Sequence, residues 1–288
     1  MTAPRTLTAA VVQMRSTTDM GENIAAMEAL VGEAASAGAT FVQTPEMTGL
    51  VQGERTAFFE ALRDEGDDPV VAAAGALAAR HAITLHVGST PVRVGERMAA
   101  NRAYLFGPDG TRLAAYDKIH MFDVDLDHGE SWRESAVYRP GERAVIARCA
   151  GTRIGMGICY DVRFPELAKA YARAGADVLT FPACFTRQTG QAHWHVLMRA
   201  RAIENGAFVV SAAQGGEHAD GRTTFGHSII VDPWGEVLAE VVGEEPGVAV
   251  AELDLARVAA VRAKVPNLVN GRAFEIADVH SEGRVRAA

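Results

Sequence analysis

The chain has 288 residues, room for one large domain or two small ones, and its 48% hydrophobic and 22% charged content is that of a globular protein that needs no staples. A formal net charge of −8 with scattered arginines gives no general attraction to nucleic-acid phosphate, so an anionic small molecule would have to meet a local arginine. Three cysteines, Cys149, Cys159 and Cys184, make an odd number in a chain too large to depend on disulfides, which fits a reducing compartment. Met1 to Arg15 lacks the pattern of a secretory leader, and no apolar run reaches about 18 residues, so a soluble cytoplasmic protein is expected.

Leu7 to Met14 reads as a short buried strand. From Asn23 to Ala37 the residues Ile24, Met27, Leu30, Val31 and Ala34 fall at helical spacing, and Gly38 sits where a helix C′ residue belongs. Thr40 to Thr44 is a second strand ended by Pro45-Glu46. Such a β-α-β unit predicts parallel strands with Glu46 at their carboxyl edge. Asp68 and Pro69 open an alanine-rich helix to about His81, followed by the strand Ile83 to Gly88. Gly107-Pro108-Asp109-Gly110 turns a hairpin between Tyr104–Phe106 and Arg112–Tyr116, and Ala150-Gly151 joins a strand ending at Cys149 to Thr152–Ile158.

Beyond Cys159, Phe164 to Ala174 carries a helical apolar face, Asp177 to Phe181 is a strand, and His193 to Glu204 is a helix leading to Ala207–Ala213. Pro233-Trp234-Gly235 turns the last hairpin, between His227–Val231 and Glu236–Val241. Parallel crossovers mixed with hairpins predict an α/β fold in which sheets are covered by helices on one face and packed together on the other. Residues 1–265 form a single domain in this reading, and 266–288 a tail that is either a disordered end or an arm for a partner subunit.

The chemistry centres on strand ends. Cys159 lies between a strand and a helix start, where helix N–H groups favour an anion, so its thiol pKa is expected to be lowered. Position alone leaves it between a nucleophile and a small buried core residue. A thiolate attacking an amide needs a base, a proton donor and an oxyanion partner. No histidine occupies an obvious strand end, but Glu46 and Lys118 do. Taken singly, each is more simply a surface residue.

Three segments in order carry a resemblance: Thr44-Pro45-Glu46-Met47, Tyr116-Asp117-Lys118-Ile119-His120-Met121-Phe122-Asp123, and Gly157-Ile158-Cys159-Tyr160-Asp161-Val162-Arg163-Phe164-Pro165-Glu166. They resemble the signatures of the nitrilase superfamily of carbon–nitrogen hydrolases. The similarity runs through Ala192-His193-Trp194, Arg199 to Glu204, Gly226-His227-Ser228 and Asp232-Pro233-Trp234-Gly235, over residues 5 to 255. It is nearest to the Nit subgroup, which contains deaminated-glutathione amidase and ω-amidase.

The resemblance implies a four-layer α-β-β-α sandwich, at least a homodimer, and a triad of Glu46, Lys118 and Cys159. It also implies a second glutamate sixteen residues after the lysine, which is Glu134, and an oxyanion site of Lys118 with the Tyr160 N–H. On that basis a small carboxylate-bearing ω-amide is the expected substrate, with Arg163 or Arg187 as its carboxylate partner. N-carbamoyl cleavage by the same triad is the alternative, and a catalytically silent binding protein is the rival of another class. For Glu46 to serve as both base and acid, its pKa is expected to be raised. His195 stands where many relatives have glutamate, and the tail after Val265 matches poorly.

No metal and no cofactor are expected. Asp123 to Glu134 mimics a calcium loop, but its glycine, Gly129, is seventh instead of sixth, and Pro140 breaks the exit helix. His193 and His195 point to different sides of a helix and cannot share an ion. Cys149 and Cys184 are read as inert, and Gly155-Met156-Gly157 lacks the third glycine of a dinucleotide fingerprint.

Overall fold

The computed structural model describes residues 6–126, 131–149, 151–279 and 285–287. Its frame is two six-stranded sheets. The first sheet contains β1 (Thr6–Gln13), β2 (Phe41–Gln43), β3 (Thr84–Gly95), β4 (Met98–Phe106) and β5 (Arg112–Asp117). The second contains β6 (Val145–Cys149), β7 (Thr152–Met156), β8 (Val178–Thr180), β9 (Phe208–Ser211), β10 (Ile229–Val231) and β11 (Val237–Glu240). The late strand β12 (Gly247–Asp254) returns to the first sheet, antiparallel to β1.

Both sheets follow one connection plan. Three parallel strands, β1-β2-β3 or β7-β8-β9, are followed by an antiparallel pair. Each then gains one antiparallel strand beside its first parallel one.

Crossover helices α1 (Met20–Ser36) and α3 (Pro69–His81) cover the first sheet, and α4 (Pro165–Arg173) and α5 (Arg187–Asn205) cover the second. Side-chain alternation along β1 shows how the layers are made. Ala10 and Val12 pack with Met27, Val31 and Ala34 of α1, while Ala9 and Val11 face the core shared with the second sheet. The result is a four-layer α-β-β-α sandwich. The short α2 (Arg55–Ala61) and the late helices α6 (Ala256–Lys264) and α7 (Asn267–Asn270) lie outside these layers.

Element boundaries differ from the sequence reading where a cap was overlooked. Asp19 accepts from the Glu22 N–H and starts α1 three residues before Asn23. Thr186 caps α5, which begins at Arg187, six residues before His193. Asp68 caps α3 as expected, accepting from Val70 and Val71. The turn residue Ala150 and residues 127–130 of the calcium-loop mimic lie outside the described residues. Of its described acids, Asp123 holds Ser135 and Asp125 pairs with Arg133. Among the described residues no helix is long and apolar enough to cross a membrane.

Buried glutamines tie the sheets together at the carboxyl ends of their parallel strands. Gln43 Oε1 accepts from the Ala212 N–H at 2.7 Å, and Gln13 Oε1 accepts from Ser228 N–H at 2.9 Å. Each amide satisfies a backbone group of the other sheet, so the two edges are held in fixed register.

The turn carrying Glu46 is cradled by an irregularity of β3 at Gly88-Ser89. Ser89 Oγ accepts from Met47 N–H at 3.0 Å, and the Ser89 carbonyl accepts from Thr48 N–H at 2.8 Å. A Cβ on Gly88 would lie 2.2 Å from the Thr44 carbonyl oxygen and 2.5 Å from Pro182. Gly88→Ala is therefore expected to destabilise the fold by about 1–3 kcal/mol, read as a lower denaturant midpoint, and to depress turnover by shifting Glu46. A variant with unchanged midpoint and turnover would contradict this close-approach role.

Candidate active site

Four strand ends and loops converge at this edge. Glu46 follows β2, Lys118 follows β5, Glu134 lies in the loop after it, and Cys159 follows β7. Glu46, Lys118 and Cys159 are buried, at 3%, 2% and 7% exposure. Lys118 Nζ donates to Glu46 Oε1 at 2.9 Å and to both oxygens of Glu134 at 2.9 Å. The Cys159 thiol lines the same cavity as the Glu46 carboxylate, close enough for each to shift the other's proton affinity. Glu46 Oε2 also accepts from the Cys184 N–H at 2.8 Å.

Asn101, on β4, is a partner the sequence did not single out. Its Nδ2 donates to Glu46 Oε1 at 2.8 Å and to Glu134 Oε1 at 3.2 Å, while its carbonyl accepts from the Lys118 N–H at 2.9 Å. One mid-strand amide thus braces both carboxylates and the lysine backbone. A mid-strand asparagine in an apolar run was the available signal.

The backbone at Cys159 is strained. Cys159 has φ +48°, in the left-handed region a non-glycine residue rarely adopts. It opens a 3₁₀ turn, Cys159–Arg163, with α4 following from Pro165. Within the first turn of such a segment the Tyr160 N–H has no intrahelical acceptor, and Tyr160 lines the cavity.

Asp161 fixes this turn to the lysine loop. Its Oδ2 accepts from the Ile158 N–H at 2.8 Å and the Tyr116 hydroxyl at 2.7 Å; its Oδ1 accepts from the His120 N–H at 3.1 Å. The His120 ring, 2.7 Å from Oδ1, stacks on Phe164. Asp161 was legible only as part of the motif, because its partners come from 41 and 45 residues away.

Two electrostatic expectations are reversed. Burial pushes the Cys159 thiol well above its ordinary value, and the adjacent Glu46 charge adds to this, outweighing Lys118. A helix end supplies about half a charge, less than a full carboxylate in contact. Burial also works to raise Glu46, but the Lys118 charge, the neighbouring Cys159 and the bonds from Lys118 and Asn101 prevail, so its carboxyl falls below its usual range. Glu134 is the acid that rises, chiefly through burial, with Glu46 repulsion added. For Lys118, burial opposes the charge, but Glu134 and Glu46 hold the ammonium well above its ordinary range. At rest the site holds a thiol, a carboxylate and an ammonium.

These groups form the floor of a cavity of about 270 Å³. Its walls include Leu50, Val51, Phe58 and Phe122 on the apolar side, with Arg163, Arg222 and Thr189 among the polar groups. Arg163 makes no salt bridge among the described residues; its guanidinium lies 5.2 Å from the Phe185 ring centroid and 3.2 Å from His193 Nδ1. Burial lowers its pKa, and the nearby Cys159 and Tyr160 only partly offset this, as befits a cation without a carboxylate beside it.

Arg187 is not in the cavity wall. It makes a two-pronged pair with Glu244, at 2.7 and 2.6 Å, on the surface. The wall also carries Arg55, Arg133 and Arg222, which the sequence reading passed over; Arg222 pairs with Asp220 at 2.9 Å and lies over Trp132. Cys184 also reaches the wall, where burial pushes its thiol up to about 12.

A layered α-β-β-α fold with a buried thiol, carboxylate and ammonium at one edge of its parallel strands defines the class of a carbon–nitrogen hydrolase. The family model "Carbon-nitrogen hydrolase" matches residues 8–263, and the chain belongs to that family. It is 40% identical over 269 residues to a deaminated glutathione amidase of Synechocystis sp., covering 90% of this chain and 96% of that one. It is 35% identical over 257 residues to an omega-amidase of Danio rerio, covering 89% and 91%. Among solved structures it superposes on the C. elegans NitFhit protein with a TM-score of 0.86 at 33% identity, covering 94% of this chain and 66% of that longer one. The chain is thus an enzyme of carbon–nitrogen bond hydrolysis.

The raised thiol has a measurable consequence. Thiolate is scarce at neutral pH, so alkylation of Cys159 by iodoacetamide is expected to climb through and beyond the ordinary cysteine range without levelling. In Glu46→Gln the neighbouring anion is gone while Lys118 remains, so the climb should shift to lower pH. An unshifted profile in that variant would remove Glu46 as the cause.

Proposed function

We propose that the chain is an amidase that hydrolyses a small carboxylate-bearing ω-amide, of the deaminated glutathione or α-ketoglutaramate type, through a Cys159 thioester. The observation that carries this reading is the joint placement of Glu46, Lys118 and Cys159 with Arg163, which has no carboxylate partner among the described residues, in one cavity. The relatives named as amidases support it.

In this mechanism Glu46 accepts the thiol proton as sulfur attacks the amide carbon. The oxyanion is held by Lys118 and the Tyr160 N–H, each such donor contributing on the order of 3 kcal/mol. The carbon–nitrogen bond then breaks, and Glu46 returns the proton to the leaving nitrogen, giving ammonia and a thioester. Water attacks the thioester, passing a proton to Glu46, which delivers it to the departing sulfur. Glu134 keeps Lys118 oriented. A lowered Glu46 is ionised and able to receive the proton but is a weak base toward the raised thiol, so the transfer has to accompany attack on the amide carbon. Once protonated beside a thiolate it becomes the acid for the second transfer.

Arg163, desolvated and without a carboxylate counter-ion, binds the far carboxylate of the substrate. Ammonia release over ω-amides, N-carbamoyl amino acids and nitriles tests the assignment. The ω-amides should turn over, and Glu46→Gln should lose roughly 10²–10⁴-fold in kcat. Arg163→Met should raise KM for carboxylate-bearing amides by roughly 10–150-fold while sparing a simple aliphatic amide. Turnover of the carbamoyl compounds alone would replace this substrate class with theirs.

We also propose a cytoplasmic homodimer. Val196 and Ile203 of α5, Trp234 in the last turn, and Val237, Leu238 and Val242 around β11 are exposed apolar residues on neighbouring elements. The described stretch 266–278, which contains the exposed Val269, Phe274 and Ile276, supplies an arm to the partner. Sedimentation should give twice the chain mass for the wild type and the single mass for Trp234→Asp with Leu238→Asp. A wild-type monomer would contradict it.

A further inference from the structure

We propose that His195, His227 and Glu240 form a binding site for one divalent transition-metal ion, zinc foremost, outside the cavity of the proposed reaction. The three side chains offer one donor atom each, and these atoms all lie within 4.8 Å of one another. His195 Nε2 is 3.0 Å from Glu240 Oε1, and His227 Nδ1 is 2.5 Å from the same oxygen. Ligand atoms around a tetrahedral zinc, each about 2.0–2.2 Å from the ion, stand roughly 3.3 Å apart, so small rotations of the side chains admit the ion.

The donor set selects the metal. Two neutral imidazoles and one carboxylate suit zinc and its neighbours, whereas calcium and magnesium call for a shell of oxygens. Three protein ligands leave one position for water. The side chains of His195, His227 and Glu240 are 37%, 20% and 19% exposed, which leaves a path for the ion.

The ligands are held in advance. His227 takes φ +57°, with its N–H donating to the Gly243 carbonyl at 3.1 Å and its carbonyl accepting from Trp194 Nε1 at 2.7 Å. Phe225 stacks on its ring at 4.3 Å, and the His195 ring meets the His227 ring edge-on at 5.3 Å. Along α5 itself, His193 turns to Arg163 while His195 turns to Glu240, as the spacing of two residues requires. The ion's other ligands therefore come from β11 and the residues before β10, not from the helix. Binding would clamp α5 to the β10–β11 hairpin.

Chelator-stripped full-length chain titrated with zinc chloride tests the site, using Cys159→Ala alongside the wild type so that the cavity thiol does not compete. One equivalent should bind to both, and the thermal midpoint should rise. Affinity should fall in His195→Ala and in Glu240→Gln by more than the roughly 10–100-fold typical of an outer-shell change. Glu240→Gln keeps an oxygen acceptor for the imidazoles, so its apo midpoint reports whether it folds. Cobalt chloride should give visible bands without thiolate-to-metal charge transfer. Equal binding by the His195 and Glu240 variants, a charge-transfer band, or no bound equivalent would overturn the proposal.

Discussion

Lys118 carries its ammonium into the interior at 2% exposure, and everything at the site is arranged around keeping that charge compensated. Burying an ammonium without partners costs several kcal/mol, so the two carboxylates that meet it are a condition of the fold as well as of the chemistry. Glu46 and Glu134 lie 72 and 16 residues from Lys118 in sequence. They meet it only when β2, β5 and the loop beyond β5 are in place. Asn101 and the Cys184 and Phe122 N–H groups supply further donors, so the carboxylates are held by neutral as well as charged bonds. The thiol then joins a site whose field is already set.

That field accounts for the directions at Cys159 and Glu46, whereas at Glu134 burial and the repulsion of Glu46 prevail over the same ammonium. A thiol against a carboxylate in a desolvated pocket keeps its proton, and a carboxylate against an ammonium gives its proton up. Proton transfer is thereby postponed until an electrophile sits over the sulfur. Thiolates are the oxidisable form of cysteine, so a resting thiol also limits adventitious oxidation.

The fold was legible in large part, because a buried parallel strand ending at a chemically capable residue is a local pattern. Glu46 and Cys159 each stood at such an end, Lys118 stood at the end of an antiparallel hairpin strand, and Glu134 was reachable through the spacing of the resemblance. Asn101 was hidden because mid-strand polar residues declare themselves only through the partners that tertiary packing brings. Arg187 and Arg222 show the same limit: both are arginines in polar segments, and only the path of the chain decides which one meets Glu244 and which the cavity. The thiol and Glu46 shifts were misjudged because sequence displays the helix end but not the contact distance to a full charge. His195 likewise has its carboxylate 45 residues away, on a hairpin strand.

The shared connection plan of the two sheets bears on how the protein comes apart. The first half of the chain supplies Glu46, Lys118 and Glu134; the second supplies Cys159, with Asp161 reaching back to Tyr116 and His120. Between them lies one apolar core to which both sheets contribute, from Leu7, Phe41 and Leu105 on one side to Ile154, Leu179 and Val209 on the other. Neither half can separate without exposing that interior, and the reacting groups straddle the same seam. Opening the seam between the sheets would therefore pull Cys159 away from Glu46 and Lys118 at the same time as it exposed the shared core.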